Sequence, residues 1–183
     1  FADSMPDGVE RSAIKRLLDL SDLERHSPGD ILTREGETIG RLMYAYGHIK
    51  ENPAQAVDVY TEQCAISVNA KDLAMMAGTL ANNGKNPVTG KQVLKPGNVP
   101  GLLAVMATAG LYDDSGKWLY HTGLPGKSGV GGGIIAVSPG RFGIAVISPP
   151  LDKAGNSVKA QKAIAAISNA LGGNPYAPVP VAK

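Results

Sequence analysis

Up to about residue 110 the apolar residues of this chain recur at the three- and four-residue spacing of a helix. From residue 117 to 148 they alternate, and beyond Ser157 the helical spacing returns. Two periods in separate blocks argue for an α+β fold, with helices packed on an antiparallel sheet. They argue against alternating βαβ units and a parallel sheet.

Residues 10–20 place Ile14, Leu17 and Leu18 on one helical face. Residues 25–33 contain Pro28, Gly29 and Asp30 and signal a loop. Residues 37–46 carry Ile39, Leu42, Met43 and Tyr46 as a helical apolar face, with Gly47 as the stop. Pro53 suits the first turn of a helix bearing Val57, Tyr60 and Cys64, the cysteine as a small buried apolar residue. Asn69 is the expected N-cap of a helix with Asp72 in its first turn and Leu73, Met76, Ala77 and Leu80 inward. That helix ends at Asn82-Asn83-Gly84. Residues 98–109 form a further helix with Leu102, Val105, Met106 and Ala109 inward.

In the second block, Asp114-Ser115-Gly116 marks a turn, capped by Asp113 and Asp114. Residues 118–122, 132–138 and 142–148 read as three strands, with Pro139-Gly140 as a hairpin turn. Residues 157–171 close the fold as a helix burying Val158, Ile164, Ile167 and Leu171, stopped by Gly172-Gly173. From Pro175 on, the Pro-rich end is expected to lie loose on the surface.

Composition narrows the partners. With 43% hydrophobic and 19% charged residues the chain is globular, and a net charge of +2 favours neither nucleic acid nor a membrane surface. No apolar run reaches the ~18 residues of a membrane span. A single cysteine fits a reducing compartment, hence the cytoplasm. His26, His48 and His121 are widely spaced and define no metal site. Phe1 is neither an initiator Met nor part of a signal-like segment, so the chain is expected to be a fragment or a processed product.

Ten of the 23 glycines fall between Gly110 and Gly143. They centre on Lys127-Ser128-Gly129-Val130-Gly131-Gly132-Gly133, after Leu124-Pro125-Gly126. Bare backbone here lets a ligand approach exposed N–H groups, which can hold a developing oxyanion, with Lys127 adding positive charge. A glycine-rich turn entering a buried strand accounts for the same composition. A phosphate loop does not, because the run lacks its spacing and leads into a strand.

Lys127-Ser128-Gly129 resembles the Lys-Thr/Ser-Gly element of penicillin-binding proteins and serine β-lactamases. The matching Ser-x-x-Lys occurs as Ser12-Ala13-Ile14-Lys15, on a helix whose core face is set by Ile14, Leu17 and Leu18. Matches of four residues arise often by chance. A longer series is more specific. It runs Tyr60-Thr61-Glu62-Gln63-Cys64-Ala65-Ile66, Asp72-Leu73-Ala74, then Leu80-Ala81-Asn82-Asn83-Gly84-Lys85-Asn86-Pro87-Val88-Thr89. It continues with Gly110-Leu111-Tyr112-Asp113-Asp114-Ser115-Gly116, Gly123 to Val130, Ser148-Pro149-Pro150-Leu151-Asp152 and Gly155-Asn156-Ser157. In this order and spacing, residues 58–171 resemble the C-terminal half of the serine-dependent glutaminases.

The resemblance implies a β-lactamase-like fold, incomplete at the N-terminus. Residues 1–174 would be the C-terminal portion of such a domain, helical to residue 110, with the sheet over 111–150 and a closing helix at 156–172. Residues 175–183 would be its tail. It implies hydrolysis of L-glutamine to L-glutamate and ammonia through a serine ester, with no cofactor and no metal, by a cytoplasmic homo-oligomer. Tyr60 matches the tyrosine that assists the nucleophile, and Lys127 lines the pocket as electrostatic support. Tyr112 matches a substrate-contacting tyrosine, and Val130 the position whose backbone N–H helps form the oxyanion hole.

The departures lie upstream. The family's Ser-x-x-Lys and Asn-Ala-Gly-Ala segments stand further ahead of the tyrosine than the 59 residues that precede Tyr60. Gly36 stands where a ligand Asn is expected, and Glu24, Glu35 and Glu37 lack that partner. Residues 25–40 do not follow the pattern. The 183-residue chain alone is therefore expected to be inactive. Two other classes of function stay open at this point: a non-catalytic β-lactamase-like domain for binding or assembly, and a penicillin-recognising hydrolase.

Overall fold

A computed structural model describes residues 30–177. The helix expected over residues 10–20, the Ser12–Lys15 match, Glu24, His26 and the end of the tail lie outside the described residues. The chain divides into two compact units, Phe1–Val68 and Asn69–Lys183.

In the first unit, α1 (Asp30–Ala45) and α2 (Pro53–Cys64) pack together. The loop expected over residues 25–33 therefore gives way to helix from Asp30 onward. The apolar face expected on α1 is also turned. Ile39, Leu42 and Tyr46 are 57%, 57% and 74% exposed, while Gly36 and Gly40 are buried. A Cβ at Gly40 would lie 2.6 Å from Val57 Cγ2, so α2 approaches where α1 has no side chain. Close backbone approach, not the largest residues, selects the buried face. Asn52 caps α2, its side chain accepting from the N–H groups of Ala54 and Gln55, with Pro53 at the first helical position. This helix buries Ala56, Val57 and Thr61. Cys64, the last residue of the helix, is exposed, contrary to expectation.

The second unit opens with α3 (Ala70–Ala81), whose capping box is the one its sequence predicts. Asn69 Oδ1 accepts from Lys71 and Asp72, and the Asp72 carboxylate accepts from the Asn69 N–H at 2.9 Å. Next come α4 (Val99–Ala109) and α5 (Ser115–Thr122), then β1 (Gly126–Ser128), β2 (Gly133–Ser138) and β3 (Phe142–Ile147). The chain returns through α6 (Val158–Ala170), capped by Ser157. The strands form an antiparallel meander in the order β1-β2-β3, pairing Lys127 with Ile135 and Ala136 with Ile144.

Residues 118–122, expected as a strand, are helical. Trp118 and Thr122 satisfy both a two- and a four-residue period, and the four-residue reading wins through hydrogen bonds. Thr122 Oγ1 donates to the Trp118 carbonyl at 2.9 Å, and Trp118 Nε1 donates to the Leu124 carbonyl at 2.8 Å. Tyr120, which a strand would bury beside them, is 70% exposed. The three strands thus begin at Gly126, and the turn expected at residues 114–116 opens α5.

Helices cover both faces of the sheet. On one face Ile134 and Ala136 pack with Leu111, Trp118, Leu124, Ala160 and Ile164, flanked by Phe142, Ile144 and Val146. On the other, Val137 and Ile135 meet Ala77, Leu80 and Ala81 of α3 and Met106 of α4. Full burial of side chains such as Leu111, Leu124, Ile134 and Ile164 contributes about 1.5–3 kcal/mol each. Two helix faces are narrower than their sequences suggest. On α4, Met106 is buried but Leu102, Val105 and Ala109 are exposed. On α6 the buried stripe is Ala160, Ile164 and Ser168, with Ile167 and Leu171 exposed. Ser168 sets that phase by donating to the Thr122 carbonyl at 2.7 Å. Arg141, beyond the hairpin turn, donates to the carbonyls of Leu171 and Gly172 and closes the C-terminus of α6.

Candidate functional site

Three of the four residues singled out in the sequence come together at one end of the sheet. Lys127 lies on the edge strand β1, between Gly126 and Ser128, whose side chains or Cα face inward. Its ammonium sits 4.8 Å from the centre of the Tyr112 ring and donates to the Ser128 carbonyl. Desolvation holds this lysine below its ordinary pKa. Ser128 itself is buried, its hydroxyl directed at the Gly110 carbonyl 3.4 Å away. In this Lys-Ser-Gly element the serine is structural and the lysine faces outward.

Tyr112 begins a short 3-10 turn (Tyr112–Asp114) with φ +53, a left-handed conformation rare for an aromatic residue and costing about 1–3 kcal/mol. The surroundings over-determine it. Ser115 Oγ accepts from the Leu111 N–H at 3.0 Å and donates to the Tyr112 carbonyl at 2.8 Å. The expected capping by Asp114 is absent, since its side chain makes no cap hydrogen bond and instead lies 4.0 Å from Lys117.

Val130 lies in the turn from β1 to β2. Gly129 N–H donates to the Gly133 carbonyl and Gly132 N–H to the Gly129 carbonyl, each at 2.9 Å, and the Ser148 N–H ties the turn to the end of β3. Among the described residues the Val130 N–H makes no backbone hydrogen bond, and the side chain is 63% exposed. Gly155 (φ +90) stands between the two: a Cβ there would lie 3.8 Å from both the Tyr112 ring and Val130 Cγ1. Tyr60, the fourth residue, is on α2 in the first unit and is 42% exposed.

The segment from Asp152 to Asn156 folds into a hydrogen-bonded loop centred on the Asp152 carboxylate. Asp152 Oδ1 accepts from the N–H groups of Ala154 and Asn156, and its Oδ2 accepts from Gln161 Nε2. The Asn156 N–H dominates in holding this carboxyl below its ordinary range. Burial opposes it, and Gln161, Ala154 and the charge of Lys117 assist. A depressed carboxyl stabilises the fold above the ordinary carboxylate range, and that contribution is lost as pH falls through the folded value. Asp152→Asn should therefore be less stable than the wild type at neutral pH, with the gap closing as pH falls below the ordinary range. Urea midpoints measured across that interval check it.

Grooves of about 810 Å³ beside α1 and α2 and about 500 Å³ beside α5 and α6 are lined by other side chains. The patch of Tyr112, Lys127 and Val130 is instead an open surface on which all three residues are exposed. Donors and positive charge fixed on a helix-covered sheet suit the class of hydrolases that transfer acyl groups.

Comparison with known proteins sharpens that class to a family. The glutaminase family profile matches residues 33–176. Glutaminases of Brucella canis and Desulfovibrio desulfuricans are 55% and 51% identical over 138 residues, covering 75% of this chain and 44% of each relative. A solved structure described as probable glutaminase ybaS superposes with a TM-score of 0.80 at 43% identity, over 90% of this chain and 54% of that one. A structure of Mglu in its tris and glutamate form gives 0.81 at 31% identity, over 91% and 38%. The chain belongs to the glutaminase family, and its α+β fold is the β-lactamase-like fold of these neighbours. It spans less than half the length of the curated relatives it matches. The match begins at residue 33, inside the stretch whose sequence departs from the pattern. No helix among the described residues is long and apolar enough to cross a membrane.

Proposed function

We propose that this chain supplies the tyrosine, lysine and oxyanion-binding part of a serine-type glutaminase site. The observation that carries the reading is the Val130 N–H, which among the described residues makes no backbone hydrogen bond and is held in a tied-down glycine turn beside Tyr112 and Lys127. In the proposed reaction a serine hydroxyl attacks the side-chain amide carbon of L-glutamine. The carbonyl oxygen becomes an oxyanion held by the Val130 N–H, ammonia leaves, and water hydrolyses the resulting ester to L-glutamate. Tyr60 is assigned to proton transfer with the nucleophile and Tyr112 to contact with the substrate. Lys127 contributes positive charge at the anionic intermediate, and its lowered pKa reflects the desolvation such a position entails.

The reading calls for neither metal nor cofactor. Its cytoplasmic setting is supported by the single cysteine, and self-association by the family resemblance. The protein expressed from its complete gene is expected to release ammonia from L-glutamine and not from L-asparagine. Ammonia from neither amide, with acylation by a penicillin instead, would replace this reading by that of a penicillin-recognising hydrolase.

A further inference from the structure

We propose that Asn156 is a positioning residue that fixes Tyr112 over Lys127 and beside the Val130 turn. The consequence for catalysis rests on the glutaminase reading; the consequence for geometry does not. Asn156 is fully buried, and its Nδ2 donates to the Leu111 carbonyl at 3.2 Å, across 45 residues of sequence. Among the described residues its Oδ1 is buried without a hydrogen-bond partner. An unpaired buried acceptor carries a penalty that an apolar side chain would not, so the position is held for the bond that Nδ2 makes.

That bond ends on the peptide unit that enters Tyr112. The Leu111 carbonyl is held by Asn156, the Leu111 N–H by Ser115 Oγ, and the Tyr112 carbonyl by the same hydroxyl. Two hydrogen bonds thus hold the peptides on either side of a tyrosine with left-handed φ, and a third holds the peptide before them. The Asn156 backbone is itself fixed from both sides, donating to Asp152 Oδ1 at 2.9 Å while its carbonyl accepts from the Asp152 N–H at 2.8 Å. This loop also delivers Gly155 between the Tyr112 ring and Val130, where an added Cβ would touch both at 3.8 Å. One loop therefore sets the position of the ring and its distance from the oxyanion turn.

Two arms test this on the protein from its complete gene. In the first, NMR reads the Lys127 ε-methylene protons, which lie in the ring current of Tyr112. Asn156→Ala should lose most of that upfield shift while the Trp118 indole N–H, bonded to Leu124, stays at its wild-type position. A retained Lys127 shift overturns the proposal. In the second, Asn156→Ala should lower kcat/KM for glutamine about tenfold or more, mainly through kcat. In a Tyr112→Ala background the same change should cost less than about twofold. An equal loss in both backgrounds overturns the proposal, because it shows that Asn156 does not act through Tyr112. Asn156→Leu, which keeps the side-chain volume and removes the Nδ2 donor, is read in the same two arms if Asn156→Ala does not fold. If the wild type releases no ammonia, the glutaminase reading fails and the NMR arm alone decides whether Asn156 positions the ring.

Discussion

Val130→Pro is expected to lower kcat for glutamine by about 10²–10³-fold, the usual cost of removing one oxyanion donor. Proline takes away the N–H and leaves the rest of the turn its bonds, since the hydrogen bonds that close it belong to Gly129, Gly132, Gly133 and Ser148. The steric demand that proline makes on the preceding residue falls on Gly129, the residue type most able to meet it. Val130→Ala keeps the N–H and trims a side chain that is 63% exposed, so its activity should stay within about twofold of the wild type. Steady-state ammonia release by the two variants separates a backbone role from a side-chain role. Equal activity in both would remove Val130 from the mechanism.

Gly110→Ala is expected to have the largest effect on stability, about 3 kcal/mol or more. A Cβ on Gly110 would lie 1.7 Å from the Gly126 carbonyl oxygen and 2.3 Å from that of Met106. Both are backbone atoms and neither can rotate away. The carbonyl of Gly110 also accepts from the Ser128 N–H at 3.1 Å, so the end of α4 is docked directly on β1. To admit a methyl group, strand and helix must separate, breaking that bond and disturbing the strand that carries Lys127. Such overpacking costs about 1–3 kcal/mol where side chains can yield, and more where only backbone is available. Gly101→Ala is the matching control. It lies within α4 with nothing near the added methyl, and should stabilise by roughly 0.5–1 kcal/mol. Urea midpoints at unchanged m-value measure both.

The capping box at Asn69 and Asp72 is local, spanning four residues, and the sequence alone specifies its partners. The helices of residues 37–46, 98–109 and 157–171 were legible for the same reason, through their period. Their buried faces were less so. On α1 the face is chosen by Gly36 and Gly40 against Val57, and on α6 by a serine bonded to Thr122; both are contacts between separate elements. The segment from Trp118 to Thr122 satisfied two periods at once, and only the bonds to Leu124 and within the helix resolve it.

The site divides in the same way. Tyr112, Lys127 and Val130 are singled out by the family resemblance, which fixes their order along the chain, and they lie near one another in the structure. The support beneath Tyr112 was not found, because it depends on a bond between Asn156 and Leu111 that no local pattern encodes. Its signal was present in Gly155-Asn156-Ser157, where a helix cap at Ser157 accounts for one residue of the three and leaves the other two unexplained.

The central claim is that the Val130 turn binds the oxygen of the scissile amide. A crystal structure of the protein from its complete gene, with L-glutamate bound, tests it most directly. The account predicts a side-chain carboxylate oxygen about 3 Å from the Val130 nitrogen, with the Tyr112 hydroxyl in contact with the ligand. Glutamate bound elsewhere, or with both side-chain oxygens beyond hydrogen-bond reach of that nitrogen, would contradict it.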